Sequence, residues 1–235
     1  MTISAQEFVT TVGFQVKPML NSKFVDRGGG VVTGEWAEGD FRATNGYSMG
    51  MVIRQGISKT ISIETGISYV KRNLEVELTD LELGYSETTN FGFINYQIPL
   101  QGLIYARLTD KLWMNASGGF GFNLYPSNTE SNSYNAEFDA NFNQVSYRTG
   151  KINWIKFSLL ANYGFEYRTK KDGYFYLGAS FDRPFNDILY TEALIERSNG
   201  DKDAVEALFS GAYITIDFRY FFHESPERKK KRTKR

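Results

Sequence analysis

From residue 7 onward the chain alternates apolar residues with polar or small ones in eight separate stretches, and a period of 2 marks a strand lying between two different environments. The stretches are residues 7–20, 46–57, 61–71, 93–108, 112–125, 154–168, 174–182 and 211–222. In 61–71, Ile61, Ile63, Ile67 and Tyr69 oppose Ser62, Glu64, Gly66 and Ser68. In the last, Ile214, Ile216, Phe218, Tyr220 and Phe222 oppose Asp217 and Arg219. The links alternate as well. Those at 58–60, 109–111 and 169–173 are hairpin-sized, whereas those at 21–45, 72–91, 126–153 and 183–205 are long and polar. The pattern predicts an all-β fold, an eight-stranded antiparallel up-and-down barrel with four long loops on one rim. The short turns and both termini then share the other rim. Within the last long loop, Asn186 is placed to start a helix over 187–197 that Gly200 ends.

A soluble lipocalin-like barrel turns its apolar face inward, and a membrane barrel turns it to lipid around a polar lumen. The apolar face here is bulky and free of charge through the middle of each stretch, and it would overfill an eight-stranded interior. The polar face carries Gly66, Gly119, Gly121, Gly164, Gly178 and Gly211, small enough for a crowded concave side. Tyr47, Tyr69, Tyr125, Tyr167 and Tyr220 stand near stretch ends, where interfacial girdles sit. These features predict a transmembrane barrel over residues 7–222.

Parity then assigns a lumen. Lys17, Arg54, Arg107, Lys156, Arg168 and Arg219 point inward with Glu64, Glu166, Asp182 and Asp217, joined by Gln97 and Gln101. Buried charges of both signs must pair, so a filled, interlocked interior is expected, with a narrow pore for a small solute as the competing reading. A turn at 58–60 sets Arg54 opposite Glu64.

Composition changes this picture in few places. Lys plus Arg and Asp plus Glu are both 27 of 235 residues, so nothing in the balance favours nucleic acid. The charge is unevenly placed. The segment from His223 onward holds Arg228, Lys229, Lys230, Lys231, Arg232, Lys234 and Arg235 against two Glu, a basic tail expected to stay disordered. Cysteine is absent, which excludes disulfides and thiolate metal sites. Residues 1–6 have the small-residue character of a signal-peptide remnant or a disordered start.

Little catalytic chemistry is visible. The single histidine, His223, falls past the last strand on the short-turn rim, so a histidine-based hydrolase site fails on geometry and a non-enzymatic role is expected. Arg27, Gly28, Gly29 and Gly30 could cradle an anion but read better as a flexible loop. Glu130, Glu137 and Asp139 lack calcium-site spacing and read as a solvated acidic loop. No cofactor or metal is implied.

The stretch YQIPLQGLIYARLTDKLWMNASGGFGFNLY, with Ile98, Pro99 and Leu100 leading into a short turn and a Gly-rich aromatic strand, resembles the small outer-membrane β-barrel family of Bacteroidota that includes PorT-like proteins. The final strand, with Phe218, Tyr220 and Phe222, resembles the C-terminal signal read by the outer-membrane insertion machinery, although the basic tail beyond it departs from that pattern. The resemblance implies an outer-membrane location, where the alternation of long and short links sets the long loops outside the cell and the even strand count sets both termini in the periplasm. It also implies contact with outer-membrane lipids and an accessory role beside envelope protein partners, in secretion or barrel assembly; the charge of the tail itself predicts contact with an anionic partner or lipid headgroups.

Overall fold

The computed structural model describes residues 9–20, 29–126, 144–169 and 172–222. Its strands are β1 (Thr10–Leu20), β2 (Gly30–Thr33), β3 (Ala37–Gly56), β4 (Ile61–Asp80), β5 (Tyr85–Arg107), β6 (Leu112–Leu124), β7 (Gln144–Lys151), β8 (Ile155–Arg168), β9 (Tyr174–Pro184), β10 (Leu189–Glu196), β11 (Lys202–Phe209) and β12 (Tyr213–Phe221). Hydrogen-bonded neighbours run β1, β12, β9, β8, β6, β5, β4, β3, and β3 pairs again with β1. That last ladder closes a ring of eight antiparallel strands, which cover the eight alternating stretches. The short links share one chemistry. Ser58 Oγ accepts the Ile61 N–H, Thr109 Oγ1 the Leu112 N–H and Thr169 Oγ1 the Asp172 N–H, the side-chain turn that Ser and Thr favour.

Around the ring the apolar side faces out. On β4, Ile61, Ile63 and Ile67 are exposed while Ser62, Glu64 and Ser68 are buried, the reverse of a lipocalin-like interior. The outward band ends at a line of tyrosines, with Tyr47 and Tyr69 ring centroids 6.2 Å apart and Tyr69 and Tyr96 6.1 Å apart. Beyond it the same face of β4 continues as Lys71, Asn73, Glu75 and Glu77. Tyr125 departs from the expected girdle: it is 2% exposed and belongs to an inner core, because it shares the inward parity of Gly121 and Asn123 and continues their face past the end of β6.

The described parts of the long connections are folded, not loops. Past the tyrosine line β3, β4 and β5 continue as a wall, with β2 added to its edge. A separate sheet of β7, β10 and β11 packs against that wall. Between them lie Phe41, Leu74, Val76 and Phe91 from the wall and Tyr147, Ile195, Val205 and Phe209 from the smaller sheet. Burying each such side chain is worth roughly 1.5–3 kcal/mol, enough to hold the connections as an ordered cap. The expected helix over 187–197 is instead strand β10. Leu189, Thr191, Ala193 and Ile195 are buried and the residues between them are not, a period of 2 that packing against the wall rewards and a helix would break. Gly200, with φ 90°, lies in the β10–β11 turn.

A β-bulge marks where barrel becomes cap. The β3–β4 register shifts between Thr44 and Tyr47, so even-numbered residues of β3 point inward below the bulge, as Ser48 and Arg54 do, and odd-numbered ones above it, as Ala37 and Phe41 do.

Candidate functional site

The barrel interior is tied from wall to wall. In the ring β3 stands opposite β8, and the Arg54 guanidinium of β3 bonds Glu166 of β8 at 2.5 Å across the full width. Arg54 also takes its ladder partner Glu64, with Nε at 3.1 Å and Nη2 at 2.9 Å from Oε2. Arg219 of β12 reaches Glu64 of β4 at 2.6 Å and Asp217 at 2.6 Å. Asp217 further accepts from Ser180 and Thr215 and pairs with Lys17 at 3.3 Å. Toward the cap, Gln97 of β5 donates to Asp182 of β9 at 2.5 Å and to Asn123 of β6 at 3.0 Å. A cavity of about 20 Å³ remains beside Gln15, Lys17, Glu64, Gln97, Asp182 and Tyr213. Roughly 10–15 Å³ holds one water, so no solute fits there.

Aromatic faces complete the plug. Arg54 lies 4.0 Å over Phe221, Arg168 4.4 Å over Trp113 and Arg219 4.8 Å over Tyr176. Guanidinium planes set between carboxylates and rings gain ion pairs and ring contacts together, which offsets part of the cost of burying them.

Of the lumen residues read from parity, Arg54, Glu64, Gln97, Gln101, Lys156, Glu166, Arg168, Asp182, Asp217 and Arg219 are all under a tenth exposed, and Lys17 joins them through Asp217. Arg107 does not. It has inward parity, but it sits at the short-turn rim as the last residue of β5, exposed and paired with Asp110 of the adjoining turn. Gln101 accepts from Ser117 at 2.6 Å, and Arg168 joins Glu166 at 2.6 Å. Phe218 and Phe222 are exposed on the outer wall, and the Tyr220 hydroxyl donates to the Asp172 carbonyl at 2.8 Å. The basic residues Arg228, Lys229, Lys230, Lys231, Arg232, Lys234 and Arg235 lie outside the described residues, as do residues 1–6, Arg27, Gly28, Glu130, Glu137, Asp139 and His223.

Sequence reasoning overlooked the inner aromatics Tyr105 and Trp113 and the guanidinium of Arg72. Tyr105 shares parity with Gln101, and Arg72 continues the even-numbered inward run of β4, so alternation carried the signal for both. Arg72 Nη1 bonds the Gly211 carbonyl at 2.8 Å, where Gly211 at φ 67° lets Ile188 close over the lumen mouth. An added Cβ there would meet Ile188 Cδ1 at 2.2 Å.

The cap has its own fastening. Arg197, at the end of the β10–β11 hairpin, bonds Asp80 at 2.9 and 2.7 Å and Glu82 at 2.8 Å, and its guanidinium lies 3.7 Å over Trp36. Asp203 accepts the Trp36 and Ala37 N–H groups, each at 2.8 Å. Burial alone would push the Asp80 carboxyl up, but Arg197 and the Leu83 and Glu82 N–H groups outweigh it and hold the group below its ordinary value. Backbone N–H groups overcome burial at Asp203 in the same way.

This geometry, an apolar outer band around a polar bonded interior, has matching relatives. Outer membrane protein OprG from Pseudomonas aeruginosa superposes with a TM-score of 0.54 at 12% identity, covering 94% of this chain and 99% of that one, which is a likeness of fold alone. No curated protein matches the sequence. A family model described as outer membrane protein beta-barrel domain matches residues 5–190. With most of its length inside that match, and with a closed barrel that faces apolar residues to lipid, the chain belongs to the outer membrane protein beta-barrel domain family.

Proposed function

We propose that this protein is a non-enzymatic, non-conducting outer-membrane barrel that presents its folded cap outside the cell and serves as an interaction subunit of an envelope assembly. The observation that carries the reading is the Arg54–Glu166 bond between opposite walls, with Arg219–Glu64 and Gln97–Asp182 spanning the lumen beside it. A solute path needs that space. An ordered layer built from the long connections suits binding instead, because an ordered surface loses less entropy on association than loose loops do. The orientation follows the rule that outer-membrane barrels keep short turns in the periplasm and long connections outside. By that rule β1 begins and β12 ends on the periplasmic side, since Gly13 pairs with Phe221 and Phe221 with Tyr174 beside the turn at 169–173.

The narrower kinship to PorT-like proteins, with its link to secretion, is part of this proposal, as is a periplasmic contact made by the basic tail. Seven basic residues in 228–235 attract an anionic partner surface or the inner-leaflet headgroups, at about 1 kcal/mol per Lys or Arg near an anionic membrane. The test is purification from native membranes in mild detergent, with full-length protein and protein lacking residues 227–235 compared at low and high salt. Stable co-eluting envelope proteins, held less tightly by the shortened chain at low salt and equally at high salt, are the expected result. A barrel that elutes alone under every condition sinks the subunit role, and identical partners for both chains at both salts sink the role of the tail.

A further inference from the structure

The apolar outer band does not stop at the same height all round. On β3, β4 and β5 it ends at Tyr47, Tyr69 and Tyr96, and the wall above is polar. On the β8–β9 side it climbs. Above exposed Ile155 and Phe157 come Trp154, 67% exposed, Phe185, 57%, and Ile152. The run then passes onto the outer face of the smaller sheet. Its lowest row places Gly150, Tyr190 and Leu208 side by side, with Leu208 55% exposed. Tyr190 lies flat on Gly150, whose added Cβ would meet the ring at 2.5 Å. The next rows up are Arg148, Glu192 and Glu206, then Ser146, Leu194 and Ala204, then Gln144, Glu196 and Lys202. Large exposed apolar side chains on this face are therefore confined to the row that meets the barrel.

We propose that this row is a membrane-surface docking patch, by which the β7–β10–β11 sheet rests on the headgroup layer of the leaflet at the long-connection rim. Continuity names the occupant. The patch is an unbroken extension of the lipid-facing band on one side, and its composition is that of an interfacial belt, with Trp and Tyr rings beside a long cationic side chain. Lys151 holds its Nζ 3.8 Å over the Trp154 ring, a long cationic side chain lying on an aromatic with its charge able to meet headgroups. The lopsided belt makes the cap lean toward the membrane over β8 and β9 and leaves the acidic wall of β3 and β4 to solvent. The inference rests on the membrane embedding of the barrel and is independent of any binding role of the cap.

Because the chain has no cysteine, single labels are readily placed. Leu208→Cys and Tyr190→Cys, with Glu77→Cys and Glu206→Cys as references, are spin-labelled in the full chain and reconstituted in phospholipid vesicles. Relaxation by dissolved oxygen and by a water-soluble nickel chelate is then measured. Labels at 208 and 190 are expected to lose access to the chelate and gain access to oxygen relative to 77, with 206 between them. Equal chelate access at 208 and 77 overturns the proposal. Spin–spin broadening at 208 that disappears on dilution with unlabelled protein also overturns it, since a second copy would then cover the patch. Retained cap structure is checked by circular dichroism and by the fluorescence of Trp36, which packs under Arg197 of the cap hairpin, in each labelled chain.

Discussion

Arg54 is fully buried and answers to carboxylates on two strands, Glu64 beside it and Glu166 across the lumen. Removing it leaves Glu64 with Arg219 and Glu166 with Arg168 as their remaining bonded cations, and breaks the tie between opposite walls inside the buried lumen. Arg54→Ala is therefore expected to lower stability by about 3–5 kcal/mol, read as a shift in the unfolding midpoint in detergent. Glu64→Ala should also destabilise, and the double variant should cost less than the sum of the two. Simple additivity would mean that the pair does not interact. This pairing was legible in the sequence, because a short turn at 58–60 fixes the β3–β4 register and puts Arg54 opposite Glu64. The bond to Glu166 was not, since contacts across a ring depend on closure and strand tilt, which alternation does not encode. Arg107 shows the same limit from the other side: parity gives the face and not the height, and the last turn of the strand carries it out of the lumen.

At the scale of elements, the barrel strands were readable and the cap was hidden, for identifiable reasons. The β3 bulge reverses parity near Thr44, so the alternation of residues 37–43 does not continue that of residues 47–56 and was lost as loop. Strand β10 holds Glu192 and Glu196 among good helix formers, and only its burial pattern, set by the wall opposite, separates strand from helix. The cap hairpin hangs on carboxylates whose pKa values lie below ordinary, so its fastening is pH-dependent. A depressed carboxylate contributes stability above its unfolded pKa, near 4, and loses it as pH falls through the folded value. Trp36, under Arg197, should report this as a fluorescence change on acidification below about pH 4, with the barrel strands intact by circular dichroism. Asp80→Asn should weaken the hairpin already at neutral pH and flatten the Asp80 part of the titration. An unchanged acid transition in Asp80→Asn would show that the fastening lies elsewhere.

As a whole, the molecule is a barrel whose interior is occupied by its own charges and whose mouth is crossed by its own connections, with Arg72, Gly211 and Ile188 packed where they meet. Both features are the ground for the proposal of a closed barrel that displays its cap. Planar-bilayer recording tests this most directly. The purified, refolded protein is predicted to give no unitary current over a wide range of voltage and salt, while the Arg54→Ala/Glu166→Ala variant, folded but without the cross-lumen bond, is predicted to leak. Steady, salt-dependent unitary conductance from the unaltered protein would contradict the account.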